Sequence, residues 1–299
     1  MIYKIIMTIE GDIYNIVYSE MDKLLDKMVE DFTKNYIKKE YNWILSGFSP
    51  TIVSNMVFVS SFESKYGNMF EDIIRGITEL TYEKENVPDT VKGVGISDSE
   101  YDDYIQGFNK HGQYVISKFD KKKNDGILSQ FRADHLAQGS GRTRSPSTLT
   151  QSELPKLLSK PVEFSSNIVA QPVDLMFFNP NDGKYKLFEI KAGGDLDSSN
   201  APKNVEKMLK IYSSLGKSNA NLYFATLYHK DGEGKTWTGV VKRHLSEESI
   251  LIGKKFWEQI LGDISFEQYQ SIYQNAFEDT GFNDTLSDLI NETAGKSFR

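Results

Sequence analysis

Apolar residues fall at Ile13, Ile16, Val17, Leu24, Leu25, Met28, Phe32, Tyr36 and Ile37. Steps of three and four keep one face of an α-helix apolar, so the pattern predicts a long amphipathic helix running toward Trp43. "NMFEDIIRGITEL", Asn68 to Leu80, carries the same period and predicts a second helix with Gly67 and Asn68 at its start. Between Val87 and Asp125 the pattern is mixed and polar, which fits loops with a short helix or strand. The stretch from Ala137, "AQGSGRTRSPSTLTQSELPKLL", opens as a loop, and Thr150-x-x-Glu153 resembles a capping box for a following helix. "NVEKMLKIYSSLG", Asn204 to Gly216, is helical and ends on glycine. "NLYFATLYH", Asn221 to His229, reads as a strand, with "KTWTGVVKRHL" as its partner. "GKKFWEQILG" and the segment from Ser265 to Leu289 read as closing helices, and Trp43, Trp237 and Trp257 are assigned to the core. Helices, a strand-rich centre and helices again indicate one α/β domain over residues 1–299, with a mixed central sheet and a helical N-terminal region.

Composition narrows the class. The chain has 299 residues, 39% of them hydrophobic and 12% aromatic, which is enough to bury a core. No apolar run reaches the roughly 18 residues of a membrane span, and the opening "MIYKIIMTIE" lacks a small-residue cleavage site. With no cysteine there is neither a disulfide framework nor a thiolate metal site, so a cytoplasmic location is expected. A net charge of −7 disfavours nucleic acid as a partner only mildly, because phosphate binding needs no more than a locally positive groove. Basic residues do cluster at Ser117–Asp125, Gly141–Ser145 and Lys242–His244.

The chemistry concentrates in "VDLMFFNPNDGKYKLFEIKAGG", Val173 to Gly194. "NPNDG" is a turn signal between two apolar runs. Centring the turn on Asn181 and Asp182 leaves Asp174 and Glu189 equidistant from it, hence opposite each other on antiparallel strands. Lys191 lies two residues beyond Glu189 and so shares its face. Both runs read as buried on both faces, unlike those of a solvent-facing hairpin. Two close carboxylates in an apolar surround repel, and a divalent cation relieves the conflict. Hard oxygen ligands favour magnesium, with manganese as a substitute. A metal-binding acid pair beside a lysine suits phosphodiester hydrolysis.

Pro172-Val173-Asp174 followed by Glu189-Ile190-Lys191 resembles the PD-(D/E)XK nuclease signature. "EIKAGGDLD" with the helix after it, and "KKFWEQILG" downstream, are similar to type II restriction endonucleases, notably ones that cut interrupted GG-N-CC sites. The resemblance implies a restriction-endonuclease-like mixed sheet with helices on both sides and magnesium-dependent cleavage of both strands of palindromic DNA. It implies Asp174, Glu189 and the Ile190 carbonyl as metal ligands, with Lys191 orienting or activating the attacking water. Glu71, in "GNMFEDIIRG", is similar to the acid that many members supply from an upstream helix, with Asp72 and Glu63 as substitutes. A homodimer and a cognate DNA methyltransferase in the same system are also implied. The alternatives are a repair or recombination nuclease of the same chemistry that recognises DNA structure, and a non-catalytic DNA-binding protein of the same fold.

The remaining candidates come from residue chemistry. Arg142 and Arg144 sit in a glycine-bearing loop, and arginine is the usual bidentate partner of guanine. Lys203, with Asn200 and Asn204, stands at the start of the helix after the motif, where backbone amides attract phosphate. His135 is a candidate base, though a lone histidine is more often structural or simply exposed, and the glycine patterns lack the lysine and hydroxyl residues of a P-loop.

Overall fold

The computed structural model describes residues 2–108, 110–139, 145–193 and 196–294. In chain order the elements are helices α1 (Ile2–Glu40) and α2 (Pro50–Tyr82), strand β1 (Thr90–Lys92), helix α3 (Asp98–Gly107), strand β2 (Gln113–Phe119), and helices α4 (Lys121–Asp134) and α5 (Leu154–Leu158). Strands β3 (Phe164–Val173), β4 (Leu175–Asn179) and β5 (Lys184–Lys191) follow, then α6 (Asn200–Leu215), β6 (Ala220–Thr226), β7 (Ile250–Ile252), α7 (Lys254–Trp257), α8 (Phe266–Asp279) and α9 (Phe282–Ala294). Two compact units result: a helical one from Met1–Leu80 with Leu261–Arg299, and a sheet-bearing one, Thr81–Ile260.

In the helical unit the sequence period is realised directly, since Ile13, Val17, Leu24, Met28, Phe32 and Tyr36 line the buried face of α1. α2 begins at Pro50, well before the expected start near Gly67. A ladder of i, i+4 aromatic pairs carries the helix through that glycine: Phe58–Phe62, Phe62–Tyr66 and Tyr66–Phe70, with ring centroids 5.6, 4.5 and 4.7 Å apart. Such pairs and the buried Val53 and Val57 outweigh the roughly 1 kcal/mol that an interior glycine costs. Trp43 is a correction to the core assignment. It lies in a short 3₁₀ turn and is 80% exposed, whereas Trp237 and Trp257 are buried.

The sheet-bearing unit is α/β, as expected, but its strands form two mixed sheets. β1 and β2 run parallel and β3 antiparallel to β2; in the second sheet β4 is antiparallel to β5, while β5, β6 and β7 are parallel. β6 therefore lies between β5 and β7, and does not pair with the segment from Lys235, which ends in a 3₁₀ turn, Val240–Arg243. Trp237 and Val241 of that segment turn inward to the core instead of alternating along a ladder. The capping box expected at Thr150 does not form. The Thr150 hydroxyl meets Ser152 at 2.9 Å, and α5 starts without a side-chain cap. α6 is close to its expected span, and Gly216 closes it in the left-handed conformation with φ 68°. The buried face of α6, including Val205, Met208, Leu209 and Tyr212, packs into one core with Leu187, Leu222 and Phe224 of the sheet.

Candidate active site

The expected hairpin is present, in the expected register. Leu175 pairs with Phe188, Met176 with Leu187 and Asn179 with Lys184, so the turn is centred between Asn181 and Asp182. The turn residues fix themselves: the Asn181 N–H donates to Asn179 Oδ1 at 2.9 Å and the Lys184 N–H to Asp182 Oδ1 at 3.1 Å. Leu175, Met176, Phe177, Leu187 and Phe188 are all buried, as a strand pair covered on both faces requires.

Asp174 occupies the single position between β3 and β4, where the chain leaves one sheet for the other. Buried Gln113 spans this break. Its side chain accepts from the Met176 N–H at 2.9 Å and donates to the Met176 carbonyl at 2.7 Å, which continues the ladder where β3 departs. Asp174 uses Oδ2 to accept the Ile190 N–H at 2.8 Å, so its carboxylate is held against the end of β5 beside Glu189.

Glu189 is 2% exposed, which for an unpaired carboxylate would be very unfavourable. Two ammonium groups answer its charge. Lys191 Nζ donates to Glu189 Oε1 at 2.6 Å, and Lys207 Nζ lies 2.5 Å from Oε2, an ion pair without hydrogen-bond angles. Lys207 also donates to Asp174 Oδ1 at 3.3 Å. Partial burial lowers the Lys207 pKa, but the charges of Asp174 and Glu189 outweigh burial and hold its ammonium above the usual lysine range. Two acids and two lysines therefore meet at one end of β5, the motif strand. Lys207 was not legible as part of this group. Its only signal in the sequence is its place one turn after Lys203 in an amphipathic helix, which reads as a solvated face.

These groups suit a hard divalent cation. Glu189 Oε2 is buried and accepts no hydrogen bond, and Asp174 Oδ1 faces the same ammonium. Among the described residues no cluster of three acidic, histidine or cysteine side chains forms. Magnesium, however, is often held by one or two carboxylates with waters completing its shell. Asp174 and Glu189 are the carboxylates whose placement fits such an ion.

The other expected residues belong to other elements of the chain. Glu71, Asp72 and Glu63 are exposed on α2, in the helical unit. Arg142 and Arg144 lie outside the described residues. At the start of α6, Asp197 accepts the Ser199 and Asn200 N–H groups, both at 2.8 Å, and the Asn200 amide at 2.7 Å. Asn204 donates to the Asn200 carbonyl at 2.9 Å, and Lys203 is exposed. Asp197 thus engages backbone donors at the start of α6. His135 is structural: its ring meets the Phe131 carbonyl at 2.7 Å and Glu153 at 3.4 Å.

Among the described residues no helix is long and apolar enough to cross a membrane. No curated protein and no solved structure shows a significant match to the chain. A family model does match, over residues 9–276, and it takes in both acids and both lysines. With nearly its whole length matched, the chain belongs to the HinfI family of type II restriction endonucleases.

Proposed function

We propose that this protein is a magnesium-dependent, site-specific deoxyribonuclease of the PD-(D/E)XK kind that cuts both strands of a palindromic duplex. The observation that carries the reading is the convergence of Asp174, buried Glu189 and Lys191 at one end of the motif hairpin. Asp174 and Glu189, with the Ile190 carbonyl, would hold the cation, and manganese would substitute for magnesium. When bound, the ion supplies Lewis acidity toward the phosphate and lowers the pKa of a coordinated water.

The protein's own groups do the rest. The Ile190 N–H keeps the Asp174 carboxylate from turning away, and the two-residue spacing keeps Lys191 on the face of Glu189. Lys191 is the group placed to orient the attacking water and to neutralise charge that develops on the phosphate. Glu71 would add a further acid. Arg142 and Arg144 would read bases, and Lys203, with Asn200 and Asn204, would meet the DNA backbone.

A palindromic site calls for a two-fold assembly, so a homodimer is part of the proposal. So are a methyltransferase protecting host DNA and action in the cytoplasm. The suggested site class is an interrupted palindrome such as GG-N-CC. Incubation with phage DNA and magnesium, followed by sequencing of the fragment ends, tests activity, specificity and cut position together. Discrete ends at one repeated sequence support the proposal. A smear, a preference for branched DNA, or intact DNA would refute it.

A further inference from the structure

Asp174 and Glu189 each have one oxygen engaged by a neighbour in the motif: Asp174 Oδ2 by the Ile190 N–H and Glu189 Oε1 by Lys191. The two remaining oxygens, Asp174 Oδ1 and Glu189 Oε2, both face Lys207 Nζ, at 3.3 and 2.5 Å. Among the described residues Lys207 is the side chain that touches both acids. It comes from α6 and not from the motif strand.

The partners differ in freedom. The Glu189 side chain is 1% exposed, whereas that of Lys207 is 38% exposed and carries its charge on a flexible four-carbon stem. The ammonium can therefore leave while the carboxylates stay. Magnesium takes oxygen ligands at about 2.0–2.1 Å, so an ion held between these two oxygens would meet the like charge of the Lys207 ammonium at close range.

We propose that Lys207 is a displaceable counter-ion, which holds the two carboxylates together in the metal-free protein and competes with the divalent cation for them. This rests on the metal-binding reading of Asp174 and Glu189. Lys207 is on this view a positioning residue: it tolerates the acid pair until the ion arrives and makes ion binding weaker than the carboxylates alone would give. Once displaced, it stays one helical turn from exposed Lys203.

The test uses manganese and no DNA, so that it reads binding and stability instead of cleavage. Manganese is titrated by calorimetry and by the loss of its free electron-paramagnetic signal into the wild type, Lys207→Met, Lys207→Gln and Asp174→Asn. Thermal midpoints are taken with EDTA and with saturating manganese. The expected result is at least a tenfold gain in manganese affinity in both Lys207 variants, a lower midpoint than wild type in EDTA, and a larger rise on adding metal. Unchanged or weakened affinity in both folded Lys207 variants, with Asp174→Asn showing the loss expected of a metal ligand, would overturn the counter-ion role and leave the metal site standing. If the wild type takes up no manganese and Asp174→Asn matches it, the metal site itself is refuted and the counter-ion role falls with it.

Discussion

Replacing Asp174 separates its two roles. Asp174→Asn keeps an oxygen to accept the Ile190 N–H but removes the charge, whereas Asp174→Ala removes both. A charge pair about 4 Å apart at an effective dielectric near 20 is worth about 4 kcal/mol, and more for a divalent ion. At about 1.36 kcal/mol per tenfold, loss of one of the two proposed acidic ligands should slow cleavage by about a thousandfold or more. Stability should respond differently. In Asp174→Asn the lost attraction to the part-exposed Lys207 is small, and the strand-closing hydrogen bond survives. In Asp174→Ala the part-buried Ile190 N–H loses this partner at the sheet switch, a loss of about 1–3 kcal/mol. Single-turnover cleavage of phage DNA in magnesium measures the first effect, and urea unfolding in EDTA measures the second. An Asp174→Asn enzyme cleaving within tenfold of wild type would refute the ligand role. Equal stabilities of the Asn and Ala variants would refute the structural one.

Three further outcomes are expected. Lys191→Met should lose about 10²–10⁴-fold in cleavage while still taking up manganese, because Lys191 contacts Glu189, the proposed ligand, and is not itself one; loss of manganese binding in calorimetry would contradict this. His244 is buried and its Nδ1 lies 3.2 Å from Arg132 Nη1, a permanent donor, so the folded protein holds the ring neutral; burial first, then the Arg132 and Arg243 charges, lower its pKa from 6.5 to about 4. The unfolded chain then binds more protons across that interval, so stability is complete above 6.5 and falls by up to about 3 kcal/mol as pH drops toward 4; urea unfolding of His244→Gln should show a flatter acid limb. Gly216→Ala should destabilise by about 2 kcal/mol or more in thermal unfolding, since φ is 68° and the added Cβ would come within 1.9 Å of Val94 Cγ1.

Features that depend on near neighbours in the chain are legible in the order of the amino acids. The apolar period of α1 and α6, the glycine that ends α6, and the hairpin register all follow from local spacing and turn chemistry. So does the pairing of Glu189 with Lys191, which strand geometry places on one face. The upstream reach of α2 was hidden, because a glycine inside a helix looks like a boundary until the stacked aromatics around it are seen. One partner of β6 was hidden as well, since "KTWTGVV" alternates like a strand while the short Ile250–Ile252 takes the position beside it. Tertiary structure alone decided that Asp174 sits where one sheet gives way to another, with Gln113 bridging the break. It also decided that Lys207, sixteen or more residues from every motif position, reaches both acids. Charge interacts through space, and no pattern along the chain records which solvated-looking lysine will lie over a buried carboxylate once the helix packs down on the sheet.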